Sequence, residues 1–216
     1  MRDVIASQLQ SAGHDVTISD LYAMAFNPVA SATDFPTRAN AEYLSYALEQ
    51  RHASSHHALA PDIQREVDHV LAADVLGFTF PLFWFDVPAI MKGWIDRVFL
   101  SGPFYGGKRL YAKGGLQGKR AFAAFSLGGR EHMFGPDAIH GELVTGMLRH
   151  FFQGTLGYVG LAVHRPYVAY HVPYVSADQR EQMLGELQLY VHNLDQEPVL
   201  RMPDLGKFDD VLRPRP

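Results

Sequence analysis

The 216-residue chain contains no cysteine. Disulfides and thiol catalysis are therefore excluded. Positive charge is scarce too: 19 Lys and Arg stand against 23 Asp and Glu, a net charge of −4. A nucleic-acid binder needs clustered cations to neutralise phosphates, so this balance argues against that class. No apolar run approaches the ~20 residues of a membrane-spanning helix. The first residues lead straight into an amphipathic pattern rather than a signal sequence, and a cytoplasmic location is expected. There is no Walker-type phosphate loop, no GxSxG elbow and no pair of carboxylates placed for acid–base work. His52, His56 and His57 have the spacing of one helical turn but no acidic or thiol companions, so no metal site is expected.

What is present reads as a globular α/β protein. The 47% hydrophobic share is ordinary, and a core of this size can be stable without staples. One domain over residues 1–216 is expected, with an irregular tail at 197–216. Val4, Ile5 and Leu9 share a helical face, and Ala12-Gly13 stops it. Residues 15–19 alternate like a strand. Pro28, Pro36 and small polar residues make 22–40 a loop, with a short helix after it at 41–48. Pro61 suits a first helical position, and Ile63, Val67, Val70 and Leu71 give that helix its apolar face. A buried strand is expected at 74–80, a helix at 88–99 with a Lys92–Asp96 surface pair, and a glycine-rich loop at 101–118. Further strands are expected at 120–126 and 158–164, with a helix at 142–152 between them. Ser176 and Gln179 form a capping box for a last helix striped by Met183, Leu187, Val191 and Leu194. Alternating helices and strands predict a parallel sheet with helices on both faces. Such a sheet ordinarily opens on a strand and a phosphate-binding loop, but here a helix comes first. The expectation is that the first strand is missing, in a chain that starts late or is an incomplete version of a longer one, with a rearranged sheet as the alternative.

The most informative stretch is residues 80–99, FPLFWFDVPAIMKGWIDRVF. Pro81, Leu82, Phe83, Trp84 and Phe85 come after a strand end, where open α/β sheets bind ligands. A flat, mostly apolar partner with polar edges, such as a flavin ring, suits that loop. The alternative is that these aromatics cap the sheet or fill a subunit interface. Leu127-Gly128-Gly129 comes after the next strand, and paired glycines allow a backbone to approach a planar ring, though they also suit a plain turn. His140 is a candidate donor to a flavin edge that becomes negative on reduction, or else a solvent-exposed loop histidine.

With these motifs in place, the chain resembles the NAD(P)H:quinone oxidoreductase family, the DT-diaphorase-like group of flavodoxin-fold proteins. The resemblance runs through Asp20-Leu21-Tyr22-Ala23-Met24, Phe26-Asn27-Pro28, Leu59-Ala60-Pro61-Asp62-Ile63, the 80–99 block, Gly128-Gly129, Met133, Ile139-His140-Gly141, Pro166 and Ala177-Asp178. It implies a flavodoxin-like doubly wound parallel sheet, an FAD-containing homodimer with active sites at the subunit interface, and FMN as the less favoured flavin. Hydride would pass from NAD(P)H to flavin N5 and then to a quinone bound in the same place, by a ping-pong route. By resemblance, Pro81, Leu82, Phe83, Trp84, Phe85, Leu127, Gly128 and Gly129 border the ring. His140 stabilises the reduced flavin, Arg180 lies near the adenine end of FAD, Tyr105 belongs to the substrate pocket, and Tyr158 falls near the aromatic that faces it across the dimer. Phe134 stands where the family carries a tyrosine partnered with the histidine, and Gly107 where close relatives have a second pocket tyrosine. Phenylalanine has no O–H, so a relay from ring through tyrosine to histidine is cut. Two other readings stand beside this one: a non-catalytic or weakly active dimeric binding or regulatory subunit, and an FMN-dependent azo or nitro reductase.

Overall fold

The computed structural model of the chain describes residues 1–215. Its sheet is built on two parallel strands, β1 (Val75–Pro81) and β2 (Arg120–Ser126), in register from Val75–Arg120 to Pro81–Ser126. On its other side β2 pairs in parallel with two short strands, β3 (Ala162–Val163) and β4 (Tyr167–Ala169). The sequence predicts one strand over 158–164. Pro166 has no N–H to give a ladder, so the strand is split there, and it begins later and runs further than expected.

β2 is the centre of the molecule. Its Ala121, Ala123 and Phe125 face one core, and Phe122 and Ala124 face the other, as the two-residue period of a strand requires. The first core is covered by α2 (Tyr46–Ser55), α3 (Pro61–Ala72) and α4 (Ala89–Val98). The second is covered by α1 (Arg2–Ser11) and α6 (Ala177–His192). α3 begins with Pro61 and buries Ile63, Val67 and Val70. α6 carries the expected capping box: the Gln179 N–H donates to Ser176 Oγ at 3.2 Å and the Ser176 N–H to Gln179 Oε1 at 2.9 Å. Helices on both faces and a parallel sheet agree with the sequence reading, and so does the Lys92–Asp96 pair at 2.7 Å.

Three further expectations are corrected. Residues 15–19 form no strand, and Ile18 is 47% exposed. A strand needs a neighbour for its N–H and C=O groups. Among the described residues, no strand lies between this segment and β1, which is the edge of the sheet. The helix placed at 41–48 starts at Tyr46 and takes in His52. The helix expected at 142–152 is a composite: π-helical Leu143–Met147, one α turn, α5 (Arg149–Phe151), then π-helical Phe152–Gly157.

Two local devices set the shape. The long loop 22–40 is tied down by Arg97 of α4, which is buried. Its guanidinium reaches Asp34 at 2.8 and 3.1 Å, Asp62 at 2.7 Å and the Asn27 carbonyl at 2.8 Å. In the sheet, Gly77 of β1 lets the Phe122 ring lie across it, because a Cβ there would stand 2.7 Å from the ring. Gly77→Ala should therefore destabilise by about 1–3 kcal/mol, the usual cost of overpacking. A urea midpoint equal to that of the parent would show that the ring simply turns aside.

Candidate active site

Because β1 and β2 are parallel and end together at Pro81 and Ser126, the loops beyond them share one edge of the sheet. The Leu82 N–H donates to the Ser126 carbonyl at 2.7 Å and joins the two loops at their root. The first loop then reverses in a two-residue turn. Phe83 and Asp86 exchange backbone hydrogen bonds at 3.0 and 2.9 Å, and Trp84 and Phe85 between them have φ of 51° and 58°. A turn with both central residues left-handed normally contains glycine or asparagine. A larger L-residue held there costs about 1–2 kcal/mol. Trp84 is 97% exposed, so the turn gains nothing from burying it. Strain spent on displaying an aromatic is a mark of a functional loop.

The second loop, Gly128-Gly129, is held from outside the expected motif. The backbone N–H of His171 donates to the Gly129 carbonyl at 2.9 Å, and His171 Nδ1 lies 2.9 Å from the Gly128 carbonyl. A Cβ on Gly128 would meet only the Tyr174 ring, at 3.8 Å, whereas one on Gly129 would press Phe134 at 3.0 Å. The third segment closes on itself through Gly135 N–H to Gly141 O at 3.0 Å and His140 N–H to Met133 O at 3.1 Å. That closure brings the His140 ring to 5.2 Å from Phe134 and 5.3 Å from Phe85.

Together these segments line a cavity of about 260 Å³ with Leu82, Trp84, Phe85, Leu127, Gly128, Gly129, Phe134 and His140. Among the described residues, no acceptor pairs with the backbone N–H of Trp84, Phe85, Gly128 or Gly129, or with the His140 ring. The lining is thus apolar with a few free donors, the composition of a site for a planar ring with polar edges. Eight of the residues singled out in the sequence meet here. Pro81 ends β1 and Phe83 forms the base of the turn, beside the cavity rather than in its lining. Arg180 lies in the first turns of α6 and donates to the Val175 carbonyl at 2.8 Å. Tyr105 and Tyr158 are elsewhere, with their rings 5.6 Å apart and Tyr158 also against Tyr111. Burial raises the Tyr105 phenol above its ordinary pKa. His171 and the Asp86–His150 contact at 2.8 Å leave no signal in the sequence, because both join segments far apart in the chain.

Residues 1–191 match a family model described as a flavodoxin-like fold. The chain belongs to this flavodoxin-like family. Within it, the chain is 36% identical over 210 residues to NAD(P)H dehydrogenase [quinone] 1 of Cavia porcellus, covering 97% of this chain and 76% of that protein. It is 35% identical over 190 residues to ribosyldihydronicotinamide dehydrogenase [quinone] of Homo sapiens, covering 86% and 80%. Among solved structures, a putative quinone reductase from Klebsiella pneumoniae superposes with a TM-score of 0.92 at 32% identity, covering 100% of this chain and 87% of that one. The flavodoxin-like frame explains why the cavity lies at the carboxyl ends of β1 and β2, where the strand-to-helix loops open. The residues present fit the ring of a flavin. No helix among the described residues is long and apolar enough to cross a membrane.

Proposed function

We propose that this chain is a flavin-dependent NAD(P)H:quinone oxidoreductase that passes two electrons by a ping-pong route. The observation that carries this reading is the shared cavity of Trp84, Phe85, Gly128, Gly129, Phe134 and His140 at the ends of two paired strands. A bound flavin supplies the reversible two-electron redox chemistry that these side chains lack. The chain's own residues do the rest. Leu82, Trp84 and Phe85 form one wall of the ring site, and Gly128-Gly129 keeps the opposite side clear of side chains. Free backbone N–H groups of both loops satisfy polar ring edges. His140 stands ready to place a proton or a positive charge where negative charge develops. The open side of the cavity admits one flat substrate at a time.

The flavin we assign is FAD. Support comes from the stretch after α6, which resemblance links to the FAD-type subgroup. It folds back on the sheet, with the Leu200 N–H donating to the Val163 carbonyl at 2.7 Å and Val199 bridging His164. We also infer a homodimer in which Tyr105 and Tyr158 of one copy face the ring site of the other. The placement of both tyrosines away from their own cavity supports this. Arg180, at the start of α6, is assigned to the adenine end.

The deciding experiment is a visible spectrum after FAD is supplied and excess removed. Retained flavin that bleaches with NAD(P)H and recovers with a quinone is expected. His140→Ala should retain the flavin and slow its bleaching by about 10²-fold, the lower range for a lost acid–base group. An unchanged single-turnover rate would remove His140 from the reaction. One observation favours the second reading, a non-catalytic binding subunit: Phe134 sits beside His140 without an O–H to share its proton. Flavin that is retained but never bleaches would establish that reading.

A further inference from the structure

Asp86 closes the Trp84–Phe85 turn, and its carboxylate has a second partner. Asp86 Oδ1 accepts the Val87 N–H at 2.7 Å and lies 2.8 Å from His150 Nε2. The other ring nitrogen of His150 lies 3.0 Å from the Met147 carbonyl. Both neighbours are acceptors, and a ring N–H at Nε2 donates to the Asp86 carboxylate. Charge-assisted bonds of this type are about twice as strong as neutral ones.

His150 reaches Asp86 because of the irregular helix that carries it. α5 is a single turn between two π-helical stretches. Each residue added to a turn rotates the downstream residues by roughly 100° relative to a regular α-helix. A regular helix through Leu143–Gly157 would aim residue 150 elsewhere.

We propose that Asp86 and His150 form a positioning clamp. The pair holds the Trp84–Phe85 turn in its left-handed form and so shapes the wall of the flavin site before flavin arrives. The reason is a balance of forces on the turn. Two consecutive bulky residues with φ above 50° favour its reopening. The Trp84 side chain is almost wholly in solvent and offers no packing to resist this. The reciprocal Phe83–Asp86 bonds and the root bond to Ser126 resist it from within the loop. The tie from Asp86 to His150 is the one that anchors the turn to a different element. The pair joins the ring-binding loop to the helix beyond the His140 segment. This proposal rests on the flavin reading above.

The test uses the whole chain and two readouts. Amide hydrogen exchange by NMR, without flavin, reports on the Phe83 and Asp86 N–H groups that close the turn. FAD affinity reports on the site. His150→Ala should speed exchange at both amides about tenfold and weaken FAD binding about tenfold. His150→Gln, which keeps one N–H donor of similar reach, should recover most of both losses. Asp86→Asn keeps an acceptor for Val87 but loses the charge, and it should behave like His150→Ala if the pair acts together. Parent-like exchange in both His150→Ala and Asp86→Asn overturns the clamp. Faster exchange with unchanged FAD affinity overturns its role at the site. A parent chain that takes up no FAD, with exchange still faster in the variants, sustains the clamp on the turn and overturns the flavin reading instead.

Discussion

The Gly128→Val variant is expected to fold like the parent and to retain no flavin. Gly128 is one of the cavity-lining residues, and a Cβ built on it has only one neighbour within 4 Å, the Tyr174 ring at 3.8 Å. That is ordinary van der Waals contact, so a Cβ at this position meets no steric penalty from the protein. Its backbone is not in the left-handed region that only glycine enters easily, so no strain is added either. The isopropyl group instead occupies the space the ring would need. Displacing a planar ring by one carbon layer loses stacking on the glycine backbone and the donors of both loops. A fall in FAD affinity of about 100-fold or more is expected, equivalent to roughly 2.7 kcal/mol. Equilibrium dialysis gives the affinity and thermal melting controls for folding. A variant that melts with the parent and still holds FAD at parental affinity would place the ring away from the Gly128-Gly129 loop. Gly129→Val is a less informative choice, since its Cβ already crowds Phe134 at 3.0 Å and would confound binding with stability.

Arg97→Leu is expected to lower stability by about 3–5 kcal/mol, the usual result of leaving one partner of a buried ion pair alone. Arg97 and Asp34 are both almost fully buried. Without the guanidinium, Asp34 keeps Tyr46, whose O–H donates at 2.6 Å, and the Ser31 N–H at 3.1 Å, but no counter-charge. The Asn27 carbonyl loses its donor too, and the loop 22–40 loses its anchor on α4. This is a large fraction of the ~5–15 kcal/mol stability of a typical domain. Urea unfolding checks it, and a loss below about 1 kcal/mol would mean that water replaces the arginine and the cluster is not dry. The same cluster sets an acid limit. Burial pushes the Asp34 carboxyl up, but bonds from Arg97, Tyr46 and the Ser31 N–H outweigh burial and hold it below the ordinary carboxylate range. A carboxylate depressed in the folded state adds stability above its unfolded pKa of about 3.9. That contribution is lost as pH falls through the lower folded value. Acid unfolding of Asp34→Asn should therefore be less steep below pH of about 4 than that of the parent.

Much of the candidate site is legible in the chain, for a reason particular to parallel sheets. The strand at 120–126 shows as an apolar run because both its faces are buried, the edge strand at 75–81 is marked by its buried Phe78 and Phe80, and parallel strands place their ends on one side. Once the strands are read, the two loops can be assigned to one edge from sequence order alone. His140 joins them through family resemblance, and the closure of residues 133–141 on their own backbone shows why it reaches the cavity.

The sequence by itself determined the α/β alternation, the caps at Pro61 and Ser176, and the residue types of the two loops at the strand ends. Each of these depends on residues within a few positions of one another. Only the tertiary structure decided the rest. Residues 15–19 alternate like a strand yet form none, because a strand exists only with a neighbour to accept its hydrogen bonds. The split at Pro166 appeared only once β2 was beside it. The hold of His171 on Gly128-Gly129 and the reach of His150 to Asp86 join residues 43 and 64 positions apart. Local pattern carries no signal for such contacts, since they are fixed by how the packed elements meet rather than by what either segment prefers.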